Sequence, residues 1–437
     1  MDQEGLRIAI VGAGPAGSAL AILLARQGAD VTLLDDGRHP ELLVGESLVP
    51  AVVPILQRLG LEAETASFSR IKPGVSFIWS PADRVSVTFN RFAPAVFPYA
   101  YNIPRPQFDA ALLARAIAAG VRHVAVRARL QPADGSQAEL ALSPETLAAA
   151  PALQTRPPHL IVDATGRARH VARVLSIPAR LGPRKDVAHF AHFEGFRWDD
   201  APGQVLIARG EAGGWSWCIP LQERLSIGIV LDQDDAARLG RTPEERLERA
   251  IATDPWLSSV AGDAKRMTSV ATYSNYQLIS ERGHGRGWVM AGDAFGFIDP
   301  MLSPGIFLAL RSAELLADGL APWLRRREIP SPAAMDAVLA SYADSQRAML
   351  SAWFELVGYL YDGRLAALIQ AGRAWMTSAN VLPGSGLLKR KAQDHIARHV
   401  GLLASGAATT SRYSRGLLRF LSRYGLRDVN PEDLAIR

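Results

Sequence analysis

The sequence predicts an α/β fold with a parallel sheet, an inserted mixed or antiparallel sheet, and a helical C-terminal region. Three observations predict it. The chain opens on an apolar run, a glycine-rich turn and an apolar helix, within residues 6–36. Between residues 71 and 270, several short runs alternate or stay apolar in the manner of antiparallel strands. After Pro330 helical patterns dominate, as in residues 333–362.

Length and composition set limits on the kind of protein. The 437 residues correspond to roughly three domain-sized units, and 48% hydrophobic content with 21% charged content is ordinary for a globular chain. Cys218 is the only cysteine, which excludes an intrachain disulfide and an iron–sulfur centre. A reducing cytoplasm fits that cysteine usage. We find neither a basic leader nor an apolar run long enough to span a bilayer, so we expect a soluble, cytoplasmic protein.

Positive charge is concentrated near the C-terminus. The net charge is +5, and from Leu382 onward ten basic residues face four acidic ones. The simpler interpretation is a solvated helical face. The alternative is a docking surface for an acidic partner, such as a carrier protein or a phosphorylated ligand. Nucleic acid is less favoured, because the rest of the chain is nearly neutral.

The first segment carries the pattern of a Rossmann-like, dinucleotide-binding βαβ unit. Gly12, Gly14 and Gly17 form G-x-G-x-x-G between an apolar run and a helix, with Ala16 in the same turn. The first glycine permits the tight turn, the second lets a pyrophosphate approach the backbone, and the third lets helix and strand pack closely. Asp35 ends the next apolar run, 23 residues after the first glycine. It is expected to accept hydrogen bonds from a ribose hydroxyl.

Two later strand ends complete a recognisable set of motifs. "LIVDATGRAR" runs into Asp163 and Gly166, and "GWVMAGDAFGFIDP" into Gly292 and Asp293. Together with the glycine motif they resemble the FAD-binding domain of glutathione-reductase-like and para-hydroxybenzoate-hydroxylase-like flavoproteins. The resemblance implies bound FAD, with Asp293 at its ribityl or ribose portion. No second strand–GxGxxG–helix unit appears in the sequence, so we expect reduced flavin from a separate flavin reductase.

Three separated segments resemble the signatures of flavin-dependent halogenases, a branch of the hydroxylase-like flavoproteins. "WSWCIP" fits W-x-W-x-I-P, "FIDPMLSPG" fits F-x-x-P-x-x-S-x-G, and "VGESLVP" is typical of the same branch. A strand would send Trp215 and Trp217 to one face. Pro220, which has no N–H, should end that strand or place it at an edge. Without the other motifs, a core strand with paired aromatic residues would be the simpler interpretation.

The resemblance implies a reaction and gives the tryptophans a task in it. Reduced FAD and dioxygen supply the oxidant that converts halide into hypohalous acid, which then travels through a tunnel to a lysine beside the substrate. Trp215 and Trp217 are implied to keep the organic substrate away from the flavin. A rigid, dry passage also limits loss of the oxidant to water.

Lys72 is the implied halogen-transferring residue. It stands in "FSRIKPGVSFIW", which resembles the K-x-G-x-x-F-x-W pattern of the family. Taken alone, a lysine at the start of a strand is more often a solvated strand end. The resemblance implies that Lys72 holds hypohalous acid by hydrogen bonding or forms a haloamine. Burial would lower its pKa and assist the second route.

The FIDPMLSPG turn and the GES segment are implied to meet the flavin and the halide. Ser303 is expected in the catalytic machinery, with Pro304 and Gly305 at the halide. The cofactor-binding residues implied here are Gly45, Glu46, Ser47, Pro300, Gly305 and Ile306.

Two positions depart from the family pattern. Leu302 stands where tryptophan halogenases have a glutamate, which favours a phenol or pyrrole over tryptophan. Pro304 has no N–H, so the halide cradle must rely on Gly305 and its neighbours.

The motifs divide the chain into three expected parts. These are a discontinuous FAD-binding domain at 1–70, 105–170 and 271–325, a substrate-side sheet region at 71–104 and 171–270, and a helical region at 326–437. His189 and His192 lie three apart on a predicted strand and face opposite ways, so a shared metal site is not expected.

The leading hypothesis is an FADH2- and dioxygen-dependent halogenase acting on a phenol, pyrrole or indole, free or tethered to a carrier. One alternative is a flavin-dependent aromatic hydroxylase or a geranylgeranyl-reductase-like oxidoreductase. Another is a flavoprotein without turnover that serves a biosynthetic complex through its basic C-terminus. The W-x-W-x-I-P segment argues against the first alternative, while Leu302 and Pro304 keep it open.

Overall fold

The computed structural model describes residues 5–38, 40–80, 83–133, 138–211, 213–275, 277–378, 385–426 and 429–436. Part of the basic C-terminal segment, comprising residues 382–384, Arg427, Asp428 and Arg437, lies outside these residues. The described chain has the predicted α/β architecture.

A six-stranded sheet, the parallel sheet, forms the centre of the nucleotide-binding part. In spatial order its strands are His284–Gly285, Trp288–Met290, Leu160–Asp163, Arg7–Val11, Asp30–Asp35 and Arg122–Ala125. All neighbours pair in parallel except the first two. Val11 lies opposite both Leu34 and Asp163. The motifs that follow these strands therefore meet at the carboxyl edge of the sheet, where ligands of such sheets bind.

Two glycines of the G-x-G-x-x-G turn are required by close packing. Gly12 has a φ of +101°, and a Cβ there would lie 2.5 Å from the carbonyl oxygen of Ala164. A Cβ at Gly17 would overlap the carbonyl oxygen of Gly12. The turn leads into the helix Pro15–Arg26, which packs against the helix Gly305–Arg326.

A second, mixed sheet, the large sheet, covers the carboxyl edge. Its path is Lys265–Arg266, Asp186–Glu194, Leu225–Asp232, Trp215–Pro220, Val205–Arg209, Gly74–Ser80 and Asp83–Thr88, and Ala271–Asn275 also pairs with Asp186–Glu194. Val205–Arg209 and Gly74–Ser80 pair in parallel, and the other pairs are antiparallel.

The two faces of the large sheet pack differently. One face joins the main core, and the other packs on the helices Pro243–Thr253 and Pro255–Ala261 in a separate cluster. The tryptophan-bearing strand lies inside this sheet and ends at Pro220, opposite Leu225. The prediction that the proline ends the strand is confirmed, while the edge alternative is wrong.

Lys72 lies on a strand after the GES segment, as expected, but at the end of that strand instead of at its start. The short strand is Arg70–Lys72, which pairs with Ala100–Asn102 outside the large sheet. The remaining small sheets consist of Ala179–Leu181, Leu278–Ser280 and Gly296–Phe297, and of Leu130–Pro132 with Leu140–Leu142.

The helices before residue 300 connect the strands of the sheets. Of those after it, the helix Gly305–Arg326 falls in the part predicted as FAD-binding domain, and the others form the predicted helical region. The first group comprises Pro15–Arg26, Val52–Leu59, Glu62–Phe68, Arg105–Ala118, Pro144–Ala149, Pro151–Thr155, His170–Val174, Gln233–Leu239, Pro243–Thr253 and Pro255–Ala261. The second comprises Gly305–Arg326, Pro332–Tyr361, Arg364–Thr377, Ser385–Ala404 and Arg412–Tyr424. Within the described ranges, no helix combines the length and apolarity needed to cross a membrane. The expected domain boundaries stay a prediction.

Candidate active site

A cavity of about 710 Å³ lies between the parallel sheet and the large sheet. Its volume falls within the range of small-molecule and cofactor sites. It is lined by residues from every sequence motif except the K-x-G-x-x-F-x-W segment that carries Lys72. The predicted residues on its wall are Gly12, Gly14, Ala16, Asp35, Gly45, Glu46, Ser47, Gly166, Trp215, Trp217, Asp293, Pro300, Ser303, Gly305 and Ile306.

The glycine-rich turn leaves room for a ligand at its backbone. A Cβ built on Gly14 would meet no atom within 4 Å, so this side of the turn is open. Asp35 holds the turn, because its carboxylate accepts the Ala13 N–H at 2.9 Å and the Gly37 N–H at 2.7 Å. The open backbone before a helix N-terminus fits the pyrophosphate of a dinucleotide.

Three predicted cofactor residues lie behind the cavity wall instead of on it. Asp163 is fully buried, and its carboxylate accepts the N–H groups of Thr165 at 3.0 Å and Val171 at 2.7 Å. It therefore holds the loop that presents Gly166, in place of the expected cofactor contact. Gly17 and Gly292 act through packing, since a Cβ at Gly292 would lie 2.8 Å from that of Ala16.

Asp293 faces the cavity beside two arginines that the sequence motifs did not identify. Burial raises the pKa of Asp293 to about 6, while Arg167 and Arg105 oppose that rise. The Arg167 guanidinium lies 4.8 Å from the ring centroid of Phe297. Arg105 forms a two-pronged ion pair with Asp109, at 3.0 and 2.9 Å. An arginine and an aspartate four residues apart at a helix start are the sequence feature that could have identified this pair.

The two tryptophans form a buried aromatic wall, as predicted. Their ring centroids are 5.6 Å apart, and the ring of Phe190 lies 5.7 Å from that of Trp217. Gly228 stands opposite Trp217 on the next strand, and a Cβ there would overlap the indole. The indole N–H of Trp215 donates to the Tyr361 hydroxyl at 2.9 Å. Sequence patterns did not indicate Phe190, Gly228 or Tyr361.

Lys72 is buried, with 2% of its surface exposed. Its ammonium donates to the hydroxyl of Ser47 at 2.8 Å and to the carbonyl of Leu48 at 2.9 Å, and lies 5.6 Å from the Phe89 ring centroid. Burial lowers the pKa of Lys72 to about 7. Lys72 is not one of the described residues that line the cavity. It contacts the cavity wall through Ser47, which does line it.

Glu46 of the GES segment lines the cavity and contacts a histidine that lies behind the cavity wall. Glu46 and His192 are both almost fully buried, and Glu46 Oε1 lies 2.7 Å from His192 Nε2. His189 faces the other side of the strand, where its Nδ1 lies 2.9 Å from the Thr272 hydroxyl. In the described part of the chain, no group of three His, Cys, Asp or Glu side chains could hold a metal ion.

The FIDPMLSPG turn presents a helix start to the cavity. Asp299 accepts the Met301 N–H at 2.9 Å, and Ser303 has a left-handed φ of 58°. The helix begins at Gly305, and Pro304 lies outside the cavity lining. Backbone N–H groups in the first turn of a helix have no acceptor within the helix. The donors available to an anion here therefore begin at Gly305, and the expected direct role of Pro304 is not supported.

Comparisons with known proteins relate the chain to FAD-binding proteins. The family described as an FAD binding domain matches residues 6–353. Tryptophan 2-halogenase of Chondromyces crocatus is 31% identical over 320 residues, which cover 71% of this chain and 60% of that protein. The 1H-pyrrole-2-carbonyl peptidyl-carrier-protein brominase of Pseudoalteromonas luteoviolacea is 26% identical, over 72% of this chain and 76% of that protein.

The fold is likewise similar to that of a solved structure, the flavin-dependent brominase Bmp2. That comparison has a TM-score of 0.75 at 19% identity and covers 95% of this chain and 98% of Bmp2. The chain spans 60% of the length of the tryptophan 2-halogenase and 63% of the length of the halogenase armH5 of Armillaria mellea.

Proposed function

The chain belongs to the FAD-binding domain family, and we propose that it is an FADH2- and dioxygen-dependent halogenase of electron-rich aromatic rings. The observation that carries the proposal is that the tryptophan wall and the glycine-rich turn line one cavity. A flavin bound at the turn and the carboxyl edge would then extend toward the wall. The relatives named as halogenases support the same activity.

Each end of the cavity has groups suited to one part of FAD. The Gly14 backbone and the helix start at Pro15 would hold the pyrophosphate, Asp35 a ribose, and Asp293 the ribityl or ribose portion. FAD, when reduced and bound, supplies the electrons with which dioxygen becomes an oxidant for halide. The free N–H groups at Gly305 and Ile306 would hold the halide beside it.

The aromatic wall and Lys72 have different roles in the proposed reaction. Trp215 and Trp217 exclude water and organic substrate from the flavin side. Lys72 then receives hypohalous acid, either by hydrogen bonding or by forming an N–halogen bond with release of water. The lowered pKa of Lys72 supports the second route, because a neutral amine with a free electron pair is well populated at neutral pH.

The partners follow from the same proposal. A separate flavin reductase would supply FADH2. The substrate would be a phenol, pyrrole or indole, and Leu302, in place of the polar residue of tryptophan halogenases, favours a phenol or pyrrole over tryptophan. A carrier-tethered ring is supported by the pyrrolyl-carrier brominase and by the helix Arg412–Tyr424, which has no acidic residue and exposes Arg412 and Arg423. The single, buried Cys218 fits a cytoplasmic location.

The test uses purified protein with FAD, a flavin reductase, NADH, dioxygen and either bromide or chloride. A reactive 1,3-diketone is included as a trap for hypohalous acid, so that halide oxidation is read even when the natural substrate is missing from the panel. Phenols, pyrroles and indoles, free and carrier-bound, are then examined by mass spectrometry. We expect a halide-dependent isotope doublet on a substrate.

Two variants and one outcome make the test decisive. Lys72→Ala should abolish the substrate doublet while the trap is still halogenated, because the lysine acts after halide oxidation. Lys265→Ala, at a lysine whose side chain is 80% exposed, should change neither. Addition of one oxygen atom without any dependence on halide would identify a hydroxylase instead.

A further inference from the structure

A buried chain of hydrogen bonds links the aromatic wall to the FIDPMLSPG turn. The Trp215 indole N–H donates to the hydroxyl of Tyr361 at 2.9 Å, and that hydroxyl donates to Asp299 Oδ2 at 2.8 Å. The other carboxylate oxygen of Asp299 accepts the Met301 N–H. An indole can only donate and an ionised carboxylate can only accept, so the hydroxyl must accept from one neighbour and donate to the other.

The three groups belong to three elements that are far apart in the sequence. Trp215 lies in the large sheet, Tyr361 is the last residue of the helix Pro332–Tyr361, and Asp299 stands in the turn before the helix Gly305–Arg326. All three are at least nine-tenths buried. One hydroxyl group therefore connects the wall, the helical region and the turn that lines the cavity near Ser303.

The Tyr361 ring and backbone are themselves held on two sides. The guanidinium of Arg184 lies 4.2 Å from the ring centroid and forms a two-pronged pair with Asp186, at 2.7 and 2.9 Å. The N–H of Ile436 donates to the Tyr361 carbonyl at 2.9 Å, and Arg184 donates to the Ile436 carbonyl at 3.2 Å. These contacts leave the tyrosine little freedom to follow Trp215 if the indole turns.

We propose that Tyr361 is a positioning residue that fixes the tilt of the Trp215 indole and ties the aromatic wall to the Asp299–Ser303 turn. Without its hydroxyl, the buried indole N–H has no acceptor at this position. The cost of the unpaired donor destabilises the present orientation of the indole. The wall would loosen while the strand stays paired. The consequence for oxidant retention rests on the proposed function, but the positioning itself does not.

The first test reads Trp215 directly in the protein without FAD. The protein is labelled with 5-fluorotryptophan, and the fluorine resonance of Trp215 among the nine tryptophans is assigned by its loss in Trp215→Phe. We expect Tyr361→Phe to shift or split the Trp215 resonance, with a smaller change at Trp217. An unchanged Trp215 resonance would overturn the proposal.

Tyr342→Phe is the matched control. Tyr342 lies on the same helix, is 3% exposed, and bonds to the Met290 carbonyl at 2.9 Å and to the Ser312 hydroxyl at 3.0 Å. Its loss removes a buried hydroxyl with two partners, away from the wall. We expect it to lower the unfolding midpoint about as much as Tyr361→Phe does, and to leave the Trp215 resonance in place. A shift of equal size in both variants would mean a general structural effect and would overturn the specific role.

The second test measures oxidant retention with reduced FAD and dioxygen. Hydrogen peroxide and halogenated trap are counted per dioxygen consumed. We expect Tyr361→Phe to raise the peroxide fraction several-fold over Tyr342→Phe at equal FAD affinity, and an equal fraction in both would refute the link to oxidant retention. If the wild-type protein halogenates nothing while the Trp215 resonance still moves in Tyr361→Phe, the proposed function fails and the positioning role stands.

Discussion

Gly14 and Gly17 belong to the same G-x-G-x-x-G motif, and the two positions require glycine for different reasons. A Cβ at Gly14 would meet no atom of the protein within 4 Å, while the space beside Gly17 is filled by the backbone of Gly12. A side chain at the first position would meet the cofactor, and one at the second would meet the backbone. A substitution at Gly14 should therefore affect ligand binding, and a substitution at Gly17 should affect folding.

We predict that Gly14→Val weakens FAD binding by tenfold or more and changes the unfolding free energy of the FAD-free protein by less than ~0.5 kcal/mol. Gly17→Ala should instead destabilise the FAD-free protein by about 1–3 kcal/mol or more, because the turn must shift to admit the methyl group. Chemical denaturation without FAD and flavin-fluorescence titration measure the two effects. Equal destabilisation by both variants would contradict the assignment.

Burial of Lys72 gives the stability of the protein a characteristic dependence on pH. Its pKa falls from 10.5 to about 7 on folding. Between these values the unfolded chain binds a proton that the folded protein does not, so the free energy of unfolding rises with pH by up to ~1.4 kcal/mol per pH unit. The stabilisation is therefore lost progressively as pH falls from 10.5 to about 7, and the slope vanishes below the folded pKa.

We predict that Lys72→Met removes this slope. Between about pH 7.5 and about pH 9.5, the wild-type protein should gain ~2–3 kcal/mol of unfolding free energy relative to the variant. Denaturation of the FAD-free proteins across this range provides the measurement. Lys265→Met, at an exposed lysine, should keep the wild-type slope. Parallel profiles for wild type and Lys72→Met would show that the lysine is not desolvated.

At the scale of elements, two adjacent strands of the large sheet build the aromatic wall together. Trp217 lies opposite Gly228, and the absence of a Cβ leaves the space that the indole ring fills. The sequence pattern identified the tryptophan strand and showed that both indoles lie on the same face of it. It did not identify the glycine, because strand register joins residues that no local pattern connects.

We predict that Gly228→Ala destabilises the protein by about 1–3 kcal/mol, because the methyl group overlaps the Trp217 ring. Gly358→Ala is the control, since a Cβ on that helical glycine meets nothing within 4 Å. It should be neutral or stabilising by ~0.5–1 kcal/mol. Thermal and chemical unfolding would check both, and an unchanged midpoint for Gly228→Ala would contradict the packing described here.

At the scale of the molecule, the basic C-terminal helix is attached to the helical region by ion pairs. Arg415 and Arg419 both pair with Glu355, at 2.5 Å each, on the helix Pro332–Tyr361. The two arginines lower the pKa of Glu355 against the opposing effect of its partial burial. Some of the basic charge seen in the sequence is thus internal to the fold, while Arg412 and Arg423 stay exposed.

We predict that Glu355→Gln increases amide hydrogen exchange in residues 412–424 and lowers the overall unfolding free energy by less than ~1 kcal/mol. Partly exposed ion pairs contribute little to global stability, but this one fixes a terminal helix. Hydrogen exchange with mass spectrometry measures the local effect. Asp362→Asn, which affects an ion pair with Arg364 on the same region, should leave exchange in residues 412–424 unchanged.

The sequence by itself determined the fold class, the nucleotide-binding edge and the aromatic pair on one face. Each of these depends on a local pattern: strand, turn and helix in order, or alternation along one strand. Only the tertiary structure decided which motif residues face the cavity. Asp163 ends one strand of the parallel sheet and Asp293 follows the neighbouring strand, yet one carboxylate holds its own loop and the other faces the cavity.

The tertiary structure also decided the supporting contacts of the site. Tyr361 lies 146 residues from Trp215, and His192 lies 146 residues from Glu46, so no spacing in the sequence relates them. Such pairs form when the two sheets and the helical region pack against one another. Local sequence fixes the direction of a side chain relative to its own element, whereas its partner depends on the packing of the whole chain.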